Sequence, residues 1–146
     1  MEGVYGHRKD DLMPTEREMD FMERVSRLND ESVALWNRHD LERFCYGYTE
    51  SAVYLSEGRI THGRKDILNR YCEAFPDRRA MGKLSLCVKH IRFSSSYAVD
   101  EPTRMAVAII QWNIEKEDGV QDSGFSTVTY VDTNEGVLIA MDSSTS

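Results

Sequence analysis

The stretch RMAVAIIQWNIEK, residues 104–116, decides what kind of fold this chain builds. In an extended conformation Ile110, Trp112 and Ile114 fall on one side, and Ile109, Gln111 and Asn113 on the other. A helix would need its apolar residues every three or four positions instead. The stretches 84–94, 124–131 and 137–141 are likewise rich in Val, Ile, Thr, Tyr and Phe. Asp118-Gly119 and Asn134-Glu135-Gly136 supply turns between them. The second half of the chain therefore reads as an antiparallel meander.

The first half has a different period. Residues 1–13 are polar and aperiodic, which reads as a flexible tail, and residues 14–146 read as one domain. After Pro14-Thr15, Phe21, Val25, Leu28, Ser32, Leu35 and Trp36 recur at helical spacing, with Glu16 and Glu18 at the positive end of the helix dipole. Asp40 then opens a second, short helix carrying Leu41, Phe44, Cys45 and Tyr48. Short strands at 52–55 and 60–62 are joined by Ser56-Glu57-Gly58-Arg59. Beyond Gly63, where an extended chain must turn into a helix, Ile67, Leu68, Tyr71, Cys72 and Phe75 return at helical spacing until Pro76. Residues 77–83 read as a loop. Helices first and strands second make an α+β domain, in which one sheet face packs on the helices.

The 146 residues, 40% hydrophobic and 29% charged, are enough for one globular core. A net charge of −7 argues against nucleic acid, whose binding draws on clustered Lys and Arg. The longest apolar run, 105–110, is too short to cross a membrane, and the first residues have no apolar signal segment, so a cytoplasmic location is expected. Cys45, Cys72 and Cys87 read as small buried thiols. Cys87 and His90 have metal-like spacing, but on a strand they point to opposite faces; no metal, nucleotide or other cofactor is expected. Gly63-Arg64-Lys65-Asp66 has too few glycines for a phosphate loop.

Both faces of the strands are partly apolar and both carry polar groups. A curved sheet wrapping an amphipathic cavity explains this. So does a subunit interface centred on aromatic residues such as Trp112 and Tyr130. The residues leave both readings open.

Four stretches, WNRHDLERF at 36–44, YTESAVYL at 48–55, GRKDI at 63–67 and GVLIAMDSS at 136–144, resemble the SnoaL-like branch of the nuclear transport factor 2-like superfamily. The resemblance spans residues 15–146. It implies a cone: a strongly curved antiparallel sheet and three N-terminal helices around one pocket for a small apolar or amphipathic molecule, with homodimerisation through the open sheet face. It also implies either a proton-transfer enzyme of the isomerase or cyclase kind, or a non-catalytic assembly module of the kinase association-domain kind. Relatives often carry Trp and His where this chain has Val137 and Ser143. On this pattern Asp142 is the candidate base, with His62 as an alternative and Tyr54 as a hydroxyl donor. Trp36, Tyr71, Phe75, Gln111 and Tyr130 are the expected pocket lining.

Overall fold

The computed structural model describes residues 14–94 and 104–145; the expected tail at 1–13 lies outside the described residues. Helix α1 (Glu16–Asn37) starts at Thr15, whose hydroxyl accepts from the Glu18 amide while the Glu18 carboxylate accepts from the Thr15 amide. That reciprocal cap satisfies two backbone N–H groups that a helix start otherwise leaves unpaired. Asp40 caps α2 (Leu41–Cys45) by accepting from the Arg43 amide at 3.1 Å. The second helix is shorter than its periodicity suggests. A tight turn through Tyr46 and Gly47 ends it, and Tyr48 opens a strand instead.

Strands β1 (Tyr48–Ser56) and β2 (Arg59–His62) are joined by Glu57 and Gly58 alone. Both have positive φ, at 54° and 72°, which is the two-residue turn whose twist matches a hairpin. Gly63, at φ 88°, precedes α3 (Arg64–Ala74), so the expected conversion of strand to helix sits on a residue with no Cβ to strain. The segment read as a loop contains a fourth helix, α4 (Arg78–Met81), capped by Asp77. Four residues are too few for a 3.6-residue period to register.

The remaining strands are β3 (Lys83–Phe93), β4 (Met105–Glu115), β5 (Gln121–Thr133) and β6 (Gly136–Thr145), in a six-stranded sheet of order β2-β1-β6-β5-β4-β3. Its neighbours are antiparallel except β1 and β6, which run parallel, so the sheet is mixed rather than wholly antiparallel. Alternation marks a strand but not the direction of its neighbour, which is why this pairing was not legible. Register shifts between Val88 and His90, between Thr129 and Tyr130, and between Tyr48 and Val53 interrupt three of the ladders. Such bulges bend strands and increase their twist, and the curved sheet stays open at its edges.

Helix α1 lies across the concave face. Phe21 and Val25 pack with Ala106, Ala108 and Tyr130, all 1% exposed, and the two alanines leave room for the larger side chains. A second cluster joins Trp36 and Leu41 to Met81, Leu84 and Ile114; a third joins Cys45, Tyr48, Ala52 and Ile67. Of the three thiols only Cys45 is buried, with burial pushing its pKa up to about 12, while Cys72 and Cys87 are exposed.

Candidate functional site

Between the concave sheet face and helices α1 to α3 the packing leaves a cavity of about 620 Å³, within the range of small-molecule sites. Exposed Leu55, Glu57 and Gly58 form one edge of it, so it reaches the surface beside the β1–β2 turn. One wall is aromatic. Trp36 meets the edges of Phe75 and Phe44 at centroid distances of 4.9 and 5.2 Å, and Tyr71 stacks on Tyr54 at 5.4 Å. The Trp36 indole N–H donates to the Met81 carbonyl at 3.1 Å, and the Tyr130 hydroxyl donates to Asn29 Oδ1 at 2.8 Å. These rings are therefore held by partners of their own.

The carboxylate comes from β6, which runs past Met141 to Thr145 and turns Asp142 inward beside Tyr54 of β1 and Val128 of β5. Asp142 is buried, at 7% exposure. Its Oδ2 accepts from the Tyr48 hydroxyl at 2.8 Å and its Oδ1 from the Ser144 hydroxyl at 3.3 Å. Tyr71 lies 3.0 Å from Tyr48, hydroxyl to hydroxyl, and Ser126 bonds Ser144. Because Tyr48 spends its one proton on Asp142, Tyr71 must donate to Tyr48, giving a chain that ends on the carboxylate.

Burial raises the Asp142 pKa from 3.8 to about 6, against the opposing hydrogen bonds of Tyr48, Ser144 and Ser126. Burial likewise holds Tyr48 and Tyr71 well above the ordinary tyrosine value, so both stay protonated donors. A carboxyl group that titrates close to neutrality can accept and return a proton at working pH. Among the described residues no three His, Cys, Asp or Glu side chains converge as a metal site would require.

No family model and no curated protein matches the sequence. Solved structures do. An NTF-2-like protein of unknown function from Shewanella oneidensis MR-1 is 22% identical, with 86% of this chain and 98% of that one aligned at a TM-score of 0.73. A domain of unknown function with a cystatin-like fold from Nostoc punctiforme is 20% identical over 91% and 78% of the two chains, at 0.69. The chain has the NTF-2-like fold. The resemblance read from the sequence is borne out at that level. A further solved structure, from Catenulispora acidiphila and 15% identical over 86% and 92% of the two chains at a TM-score of 0.65, is in complex with S-DNPA.

Within this NTF-2-like fold, Asp142, Tyr54, Trp36, Tyr71, Phe75 and Tyr130 line the cavity together. His62 and Gln111 do not. His62 is exposed on the edge strand β2, opposite Val53. Gln111 lies between Cys87 and Phe125 on the convex face, because a strand that turns Ile110 and Trp112 inward must turn Gln111 outward. Trp112, weighed as an interface residue, is on the cavity wall. Tyr48, Ser126 and Ser144 were missed. The serines were within reach of a period-two count from Tyr130 and Asp142; Tyr48 was hidden by its assignment to a helix. No helix among the described residues is long and apolar enough to cross a membrane.

Proposed function

We propose that the cavity binds a small, largely apolar molecule and that Asp142 moves a proton on it, as in an isomerase or cyclase. The observation that carries this reading is a carboxylate buried in a largely apolar cavity and hydrogen-bonded to Tyr48 and Ser144, a setting in which burial pushes its pKa up to about 6. The small molecule bound by the Catenulispora acidiphila neighbour is consistent with it. As carboxylate, Asp142 takes a proton from carbon next to a carbonyl group, and the electron pair moves onto the carbonyl oxygen. Tyr54, its register partner on β1, supplies the hydroxyl for the oxygen that gains charge. The protonated acid then returns its proton, to a different carbon in an isomerisation or to the new alkoxide after ring closure. Neither step needs a redox partner.

Conversion of a β,γ-unsaturated cyclic ketone to its conjugated isomer, followed by ultraviolet absorbance, tests the assignment. Asp142→Asn should lower the rate about a thousandfold while the variant remains folded by circular dichroism. An unchanged rate removes Asp142 from the chemistry.

A second reading, assembly, has its own observation. The convex face exposes Met105, Val107, Ile109, Phe125 and Met141, five large apolar side chains on adjacent strands β4, β5 and β6. A patch of that kind on a soluble protein marks an interaction surface. We infer that it joins two copies of this chain, in the cytoplasm and without nucleic acid, and the pairing is compatible with a working cavity on the other face. Sedimentation should find the parent chain as a dimer and Ile109→Lys as a monomer. A monomeric parent chain would end this reading.

A further inference from the structure

Among the described residues Arg70 is the one arginine on the cavity wall, and it is out of keeping with an apolar ligand. Its guanidinium carbon lies over the Tyr54 ring, 4.9 Å from the centroid. Nη1 donates to the Arg59 carbonyl and to Thr61 Oγ1 at 3.0 Å each, and Nη2 donates to the Ser56 carbonyl. All three acceptors are neutral. A guanidinium carries five N–H donors, so Nε–H and one Nη2–H remain for another acceptor. Among the described residues no carboxylate stands within ion-pair distance of Arg70. Arg24, by contrast, meets Asp132 at 2.6 Å. Glu57, on the same edge of the cavity, is exposed and makes no pair with it. Half-buried Arg64 also lacks an acid among the described residues, but it spends Nε and Nη2 on the Tyr48 carbonyl and is not on the cavity wall, whereas Arg70 is on that wall with donors to spare.

Its position gives the explanation. Ser56, whose carbonyl Arg70 holds, is two residues along β1 from Tyr54, and Tyr54 is the register partner of Asp142. Two strand residues span about 7 Å, so acid and cation sit at different depths of one cavity, Arg70 towards the exposed turn. We propose that Arg70 anchors a carboxylate on the ligand, which makes the substrate class an amphipathic carboxylate with its apolar body inward and its charged end at the mouth. The proposal rests on the reading of the cavity as a ligand site. Orientation follows from charge: Asp142 at depth repels an anion, and Arg70 at the edge offers it a pair of N–H donors. The competing role for Arg70 is a brace on the β1–β2 hairpin, which its three present bonds already perform.

A matched pair of probes separates these roles: 2-naphthoate, and the neutral 2-acetylnaphthalene of nearly the same shape. At pH 8 and low salt, calorimetry should show the parent chain binding naphthoate about tenfold more tightly than the ketone, with the preference shrinking as salt is raised. Arg70→Gln should lose the preference while keeping its affinity for the ketone. Arg70→Lys, which keeps the charge but not the fork, should keep part of it. The parent chain's own preference and its salt dependence need no variant, so an unstable Arg70→Gln does not shield the proposal. If the parent chain binds both probes equally, the anchor is refuted and the cavity reading stands. If Arg70→Gln weakens both probes equally, Arg70 is only a brace. If neither probe binds, the cavity reading fails and the anchor falls with it.

Discussion

At pH 8, Asp142→Asn is expected to raise the free energy of unfolding by about 1 to 3 kcal/mol, and near pH 4 to leave it almost unchanged. The reason is where the carboxylate sits. In the unfolded chain it titrates near 3.8, and in the folded chain near 6, because burial penalises the charged form. Between those values the folded state holds the proton more tightly than the unfolded state does, so folding loses stability as pH rises through the interval. Below 3.8 both states are protonated and nothing is lost; above 6 the whole difference, about 3 kcal/mol at 1.4 kcal/mol per pH unit, opposes folding. Asparagine keeps an oxygen for the Tyr48 hydroxyl and never ionises, and its amide can donate to Ser144. Urea unfolding of the two proteins at several pH values reads the effect. A difference that does not change with pH, or an Asn variant less stable at pH 8, would show that Asp142 is not held in a desolvated site. A gain in stability together with a loss of turnover would mark a group kept for chemistry rather than for folding.

Gly82→Ala should be severely damaging, costing about 3 kcal/mol or more. Gly82 joins α4 to β3 at φ 61°, where a side chain is strained, and a Cβ there would lie 2.6 Å from the Glu115 carbonyl oxygen and 2.9 Å from Ile114 Cγ2. Glu115 is the register partner of Lys83, so the crowding falls where β3 begins to pair with β4. Gly58 is the control. It has φ 72°, but nothing lies within 4 Å of an added Cβ, so Gly58→Ala should cost only the backbone term, about 1 kcal/mol. Thermal melts should therefore separate the two variants by several degrees, with Gly82→Ala lower by about 10 °C than the parent chain. Equal shifts would contradict the close approach of β3 to β4 at this point. The site would suffer too, since the Met81 carbonyl accepts from Trp36 and Leu84 lines the cavity, one on each side of Gly82.

What the sequence made legible follows from the range of each signal. Periodicity is local, so α1 and the four long strands were readable from spacing alone, and the turn residues at Gly58, Gly63 and Gly136 stand where positive φ is needed. The parallel pairing of β1 with β6 joins residues almost ninety positions apart, Tyr54 with Asp142, and no local pattern encodes it. That pairing is also what assembles the site, which explains why Asp142 and Tyr54 could be named as candidates while their joint environment could not be described. Tyr48 shows the same limit. Its helical neighbours Leu41, Phe44 and Cys45 set a period that ends at Gly47, one residue before it. Alternation, in contrast, was informative enough to have excluded Gln111, which shares a face with Ile109 and not with Trp112.

The most direct measurement is the titration of the Asp142 side-chain carboxyl carbon by NMR, assigned by its disappearance in Asp142→Asn. A carboxyl group desolvated as Asp142 is should show a midpoint near 6, shifted by ligands that fill the cavity. A midpoint near 4 would mean a carboxylate in contact with water, and both the proton-transfer role and the buried site on which it depends would be contradicted.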